Sequence, residues 1–170
     1  MSVPLQKFRE IVLQLLFSYD ICGMEEEEMI PLLMAELSVT KKTVRMARDR
    51  VRLIVSKLSE IDSLIAKATR SYSFERIQSV ERNILRLGVF ELLLDEAIPP
   101  KVAITEAMRL ARKFSTSEAA LFVNAILDHL HKKQLGKDFD DQEFIQVTEK
   151  LVYSEEIARK ALQDPPANEA

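Results

Sequence analysis

The chain has no tryptophan, three glycines and one cysteine among its 170 residues, and each scarcity closes off a class of protein. A lone Cys22 cannot form an internal disulfide, and without a secretory-type start the sequence gives no reason to expect an oxidising compartment; a cytoplasmic location is the expectation. Gly23, Gly88 and Gly136 stand apart from one another, so there is no glycine-rich phosphate cradle. No apolar run approaches the roughly 20 residues that a membrane span needs. Even residues 84–94 are interrupted by Arg86, Gly88 and Glu91.

Catalytic groupings are missing as well. His129 and His131 are two apart, so on a helix they point about 200° from each other and cannot chelate one metal. Cys22 has no histidine or basic residue beside it and reads as a buried, inert thiol. The four glutamates at 25–28 match no calcium loop and read as a solvated charge run. The expectation is therefore no enzyme, no metal, no cofactor and no small-molecule substrate.

What the chain does have is leucine, isoleucine, alanine, glutamate, lysine and arginine in quantity, which predicts an all-α fold of helices joined by short connections. The net charge of −3 conceals a division. Residues 134–170 carry nine acids against four bases, a net −5, and residues 1–133 carry 20 bases against 18 acids, a net +2. Charge distribution matters more than the total for a nucleic-acid partner.

Apolar spacing predicts the elements. Leu5, Phe8, Ile11, Val12, Leu15, Leu16 and Tyr19 form a wide stripe on an opening helix that ends at Gly23. A second helix follows, with two readings open at Pro31: either the glutamates occupy its first turn, or Pro31 starts it and the glutamates lie in the loop before it. Thr40 is placed to cap a third helix reaching about Lys57. Periodicity pauses at residues 72–74, which sets a boundary near 73 between an N-terminal bundle (1–73) and a C-terminal bundle (74–133). In the second bundle, Pro99 and Pro100 end one helix and prime the next. Ser115 and Glu118 read as a capping box, and Gly136 ends the following helix. Residues 143–162 are predicted as an extra amphipathic helix in an acidic extension (134–170), with Phe144, Val147, Leu151 and Ile157 suited to docking, before a disordered end at 164–170.

Two basic groups invite a nucleic-acid reading. Lys41, Arg45, Arg48 and Arg52 fall at steps of four, three and four on the third helix; such a stripe can meet phosphates, or serve as a solvated flank. Lys101, Arg109, Arg112 and Lys113 lie near Phe114 and Phe122, the mixture of charge and rings that holds single-stranded RNA.

Three linked segments carry a resemblance. Glu81-Arg82, Leu85-Arg86 and Phe90-Glu91-Leu92 occupy one helix; Pro100-Lys101-Val102-Ala103-Ile104-Thr105-Glu106-Ala107 follows; then comes Phe122-Val123-Asn124-Ala125-Ile126-Leu127-Asp128. In this order and spacing they closely resemble the signature of the NusB family of bacterial antitermination factors. A weaker match lies in Arg9, Gln14, Leu16 and Phe17, and the resemblance covers about residues 5–131. It implies two packed three-helix bundles. It implies binding, with NusE, of the boxA element of nascent ribosomal RNA, so that RNA polymerase resists termination. RNA contact is implied for Lys7, Arg9, Lys101 and Phe122, with Glu118 at the adjoining turn. NusE contact is implied for Phe17, Ile21, Glu81 and Phe90, with Glu81 exposed toward the partner. The arginine-rich opening usual in the family is reduced here to Lys7 and Arg9. Two further readings share the fold: a helical protein-interaction module with weak or lost RNA binding, and the RNA-binding helical domain of ribosomal RNA cytosine methyltransferases.

Overall fold

The computed structural model describes residues 3–23, 26–69, 72–137 and 141–163. Among them the chain forms α1 (Leu5–Cys22), α2 (Glu26–Leu37), α3 (Lys41–Ser56), α4 (Leu58–Thr69), a 3-10 turn at Phe74–Arg76, α5 (Ser79–Val89), a π turn at Phe90–Leu94, α6 (Pro100–Phe114), α7 (Ser117–Gln134) and α8 (Asp141–Gln163), with no strand. The expected all-α class is what is found. α1, α2 and α3 pack as one group and α5, α6 and α7 as another; α1 also touches α5, and α4 touches α5 and α7, so one core runs through both groups. Met24, Glu25 and the end at 164–170 lie outside the described residues.

Helix ends follow local chemistry, with one departure from expectation. The Thr40 hydroxyl accepts from the Thr43 N–H at 3.3 Å, and Pro100 opens α6 behind Pro99. Gly23 and Gly136 take positive φ after α1 and α7, where a side chain would be strained. Of the two readings open at Pro31 the first holds: α2 starts at Glu26, with glutamates in its first turn and Pro31 inside it. The proline removes one N–H, and burial of Ile30 and Leu33 in the core outweighs that loss. The cap of α7 is Thr116, whose hydroxyl accepts from the Ala119 N–H at 3.0 Å, so Ser115 and Glu118 form no capping box. The Ser115 hydroxyl instead donates to Glu81.

Gly88 lets α5 close on its neighbours. A Cβ there would lie 2.9 Å from Leu127 Cδ1 and 3.3 Å from the Ala107 Cβ, closer than packed atoms stand. The acidic extension docks through its apolar series, as the spacing of its first members predicts. Phe144 and Leu151 are buried, and the Phe144 ring lies 6.4 Å from Phe122, which meets Tyr72 edge-on at 5.4 Å. Ile157 departs from the expected series. It is 51% exposed, and the other residues of α8 from Glu156 onward are exposed too.

Candidate nucleic-acid and protein interface

The first turns of α1 and the length of α6 meet along an ionic seam. Arg9, expected on an RNA surface, is buried there with its side chain 5% exposed. Its Nε donates to both carboxylate oxygens of Glu91, at 2.8 and 3.0 Å, and its Nη1 lies 3.6 Å from Glu106. The π turn is what presents Glu91 to α1 at this point. Burial holds the Glu91 carboxyl above its ordinary range, against the pull of Arg9 and Arg50. Next to it, Glu10 accepts from Arg109 and from Lys113, each at 2.8 Å. Burial would raise the Glu10 carboxyl, but those two cations together hold it below its ordinary range. Arg9, Arg109 and Lys113 thus have their charges matched within the fold, which corrects the assignment of Arg9 to RNA. Lys101 and Arg112 are exposed and Lys7 half-buried, and these remain to offer charge outward.

Phe122 is also corrected. At 0% exposure, wedged between Tyr72 and Phe144 on the inner face of α7, it has no face on which a base can stack. The half-buried ring of Phe114, with Lys113 Nζ 5.5 Å from its centre, is the aromatic nearer the surface. Glu118 is half-buried in the first turn of α7, beside Lys150 and Tyr153 of α8.

The four implied partner residues separate. Phe17 and Ile21, the latter 57% exposed, come together in an apolar groove of about 410 Å3 completed by Leu13, Met29, Val80 and Phe114. Cys22 lies on this groove and is exposed, contrary to the buried thiol expected. Phe90 is in the core under the Arg50 guanidinium, 5.4 Å from its ring centre. Glu81, expected to be exposed, is 6% exposed; one oxygen takes the Ser115 hydroxyl and Oε2 has no partner among the described residues. Val80 borders the groove, whereas Glu81, one residue on, lines a separate cleft under α8.

A polar hub fixes the groove. Asp20, one residue before Ile21, accepts from Arg82 Nη2 at 2.7 Å, Arg86 Nη1 at 3.0 Å and Asn83 Nδ2 at 3.1 Å. Arg86 also donates twice to Asp62, at 2.8 Å each, tying α4 to the same point. Burial opposes ionisation of Asp20, but these donors outweigh it and hold its carboxyl below the ordinary range. The end of α1 is thereby locked to α5.

On α3, Lys41, Arg45 and Arg52 are exposed and Arg48 half-buried, so the sequence stripe is a real flank of the helix. Arg52 lies 3.9 Å from Asp49. Arg50 faces another way and pairs with Asp95.

Comparison with known proteins adds an independent finding. The model of the NusB family matches residues 6–132, ending before α8. The transcription antitermination protein NusB of Chlamydia pneumoniae is 40% identical over 127 residues, which are 75% of this chain and 79% of that protein. A Thermotoga maritima NusB crystal form is similar in structure, with TM-score 0.66, 32% identity and coverage of 85% of this chain and 99% of the other. A crystal structure of antitermination factors NusB and NusE in complex with double-stranded RNA is similar too, with TM-score 0.65, 29% identity and coverage of 75% and 96%.

Proposed function

Because the chain belongs to the NusB family of transcription antitermination proteins, we propose that it acts in the cytoplasm, without catalysis, by joining NusE on the boxA element of nascent ribosomal RNA, so that RNA polymerase resists termination. The observation that carries this reading is the apolar groove at the end of α1, where Phe17 and Ile21 fall together beside Val80 and Phe114. An exposed apolar groove bordered by ion pairs is the ordinary form of a protein-docking site. In this reading the groove takes NusE, and Lys101, Arg112 and Lys7 meet RNA phosphates, with Glu118 at the adjoining turn. The basic flank of α3, through Lys41, Arg45 and Arg52, is a further phosphate-facing surface.

Burial of Arg9 and Phe122 favours one second reading, a protein-interaction module whose own hold on RNA is weak. The two differ in where RNA affinity resides. Substituting Ile21→Asp places a charge in the groove without touching the core. We expect NusE affinity to fall at least about tenfold in calorimetry, as for a central interface anchor, with an unchanged melting temperature. Undiminished NusE affinity in this variant would remove the groove from the proposal. Fluorescence anisotropy with boxA, a scrambled strand and a boxA duplex then reports whether any RNA preference belongs to this chain.

A further inference from the structure

α8 lies outside the segment that matches the family, yet it forms one wall of a cleft of about 620 Å3 whose other wall is the start of α5 and the turn between α6 and α7. The lining of that cleft mixes three acids, Glu81, Glu155 and Glu156, with two cations, Arg76 and Arg159, and one of the acids is incompletely satisfied. Glu81 is more than nine-tenths buried, with Oε2 lacking a hydrogen-bond partner among the described residues. Across from it on α8 stands Glu155, whose Oε2 receives the Tyr72 hydroxyl at 3.3 Å and whose carboxylate also pairs with the Gln78 side chain. Two carboxylates facing one enclosed space repel, and a buried oxygen without a donor costs stability. The charge state agrees: burial lifts the Glu155 carboxyl above its ordinary range and Glu81 adds repulsion, which Tyr72, Arg76 and Gln78 offset only in part. The same surroundings push the Tyr72 hydroxyl up to about 12. Arg76 lies over the Tyr72 ring, 5.2 Å from its centre, and does not bridge the two acids.

We propose that Glu81 and Glu155 together form a receptor for a lysine or arginine side chain of the partner protein, so that α8 is an added wall of the partner interface. The inserted cation neutralises the repulsion between the carboxylates of α5 and α8. The exposed last turns of α8, with Leu162 on the cleft side, offer the apolar stem of such a side chain a surface. This rests on the reading that NusE is the partner, since the cleft begins one residue from the Val80 edge of the proposed NusE groove.

The test measures NusE binding to the full chain by calorimetry, in the wild type, Glu155→Gln and Glu155→Lys, with amide exchange at Phe144 and Leu151 checking that α8 stays docked. A charge pair at an interface predicts that Glu155→Lys weakens NusE binding by at least about tenfold and Glu155→Gln by less. Reversing the matching NusE cation to glutamate should restore binding to the Lys variant, and RNA affinity of the chain alone should change far less than NusE affinity. Equal NusE affinity in the three proteins overturns the receptor and leaves the groove reading standing. Tighter binding by Glu155→Lys also overturns it, and makes α8 a shield over Glu81. Failure of the wild type to bind NusE overturns both the receptor and the partner reading.

Discussion

Arg9 shows how one residue can look functional in a sequence and be structural in the fold. Its guanidinium lies between Glu91 and Glu106 and is almost wholly buried, so Arg9→Ala leaves the buried Glu91 without its hydrogen-bonding partner, while Glu106 keeps Arg109. Breaking such a pair costs about 3–5 kcal/mol. Urea unfolding of Arg9→Ala should show a loss of that size; a loss within about 0.5 kcal/mol joined to weaker RNA binding would return Arg9 to the RNA surface. Asp20 gives a second residue-scale expectation. Its folded carboxyl ionises below the ordinary range, so the stability it contributes is present above about pH 4, the unfolded value, and is lost as pH falls through the folded value. Asp20→Asn should therefore cost about 1–3 kcal/mol at pH 7, with Asp62 still holding Arg86, and the gap to wild type should narrow in urea titrations as the pH is lowered below the unfolded value of about 4. A gap that widens on acidification would contradict the hub. Neither Arg9–Glu91 nor the Asp20 hub was legible in the sequence, because each joins residues more than sixty positions apart and a single chain does not announce which charges meet.

At the scale of elements the periodic helices were legible, and their ends partly so. Thr40, Pro99–Pro100, Gly23 and Gly136 act through their own backbone and were read from local chemistry. Ser115 was misread because its hydroxyl had two possible partners, the α7 backbone and Glu81, and only packing decides between them. The π turn after α5 was invisible for a like reason. It carries Glu91, which meets Arg9. α8 supplies the element-scale prediction. Its anchor is Phe144 against Phe122, with Leu151 a second buried point, and beyond Glu156 the helix is exposed. Phe144→Ala should cost about 3 kcal/mol, chiefly by undocking α8. Hydrogen exchange should then show α8 amides losing protection while those of α5 to α7 keep theirs; loss of protection throughout would make α8 part of the common core.

For the whole molecule, the family segments, the all-α fold and the basic body with an acidic extension were open to a reader of the sequence. The division of the surface was not. Charges that appear in the sequence as one basic cluster are drawn into the seam between α1 and α6, leaving Lys101, Arg112 and Lys7 as its outward cations, while the apolar groove gathers Phe17, Ile21, Val80 and Phe114 from three helices. In the proposed reading, a molecule so arranged holds its protein partner by a defined groove and RNA by few charges. Affinity for RNA should then depend on the partner. The most direct test is a fluorescence-anisotropy titration of boxA RNA with this protein, with and without NusE, at two salt concentrations. The account predicts weak binding alone, binding at least about tenfold tighter with NusE, and a fall in both as salt rises. Equal affinity with and without NusE would contradict it.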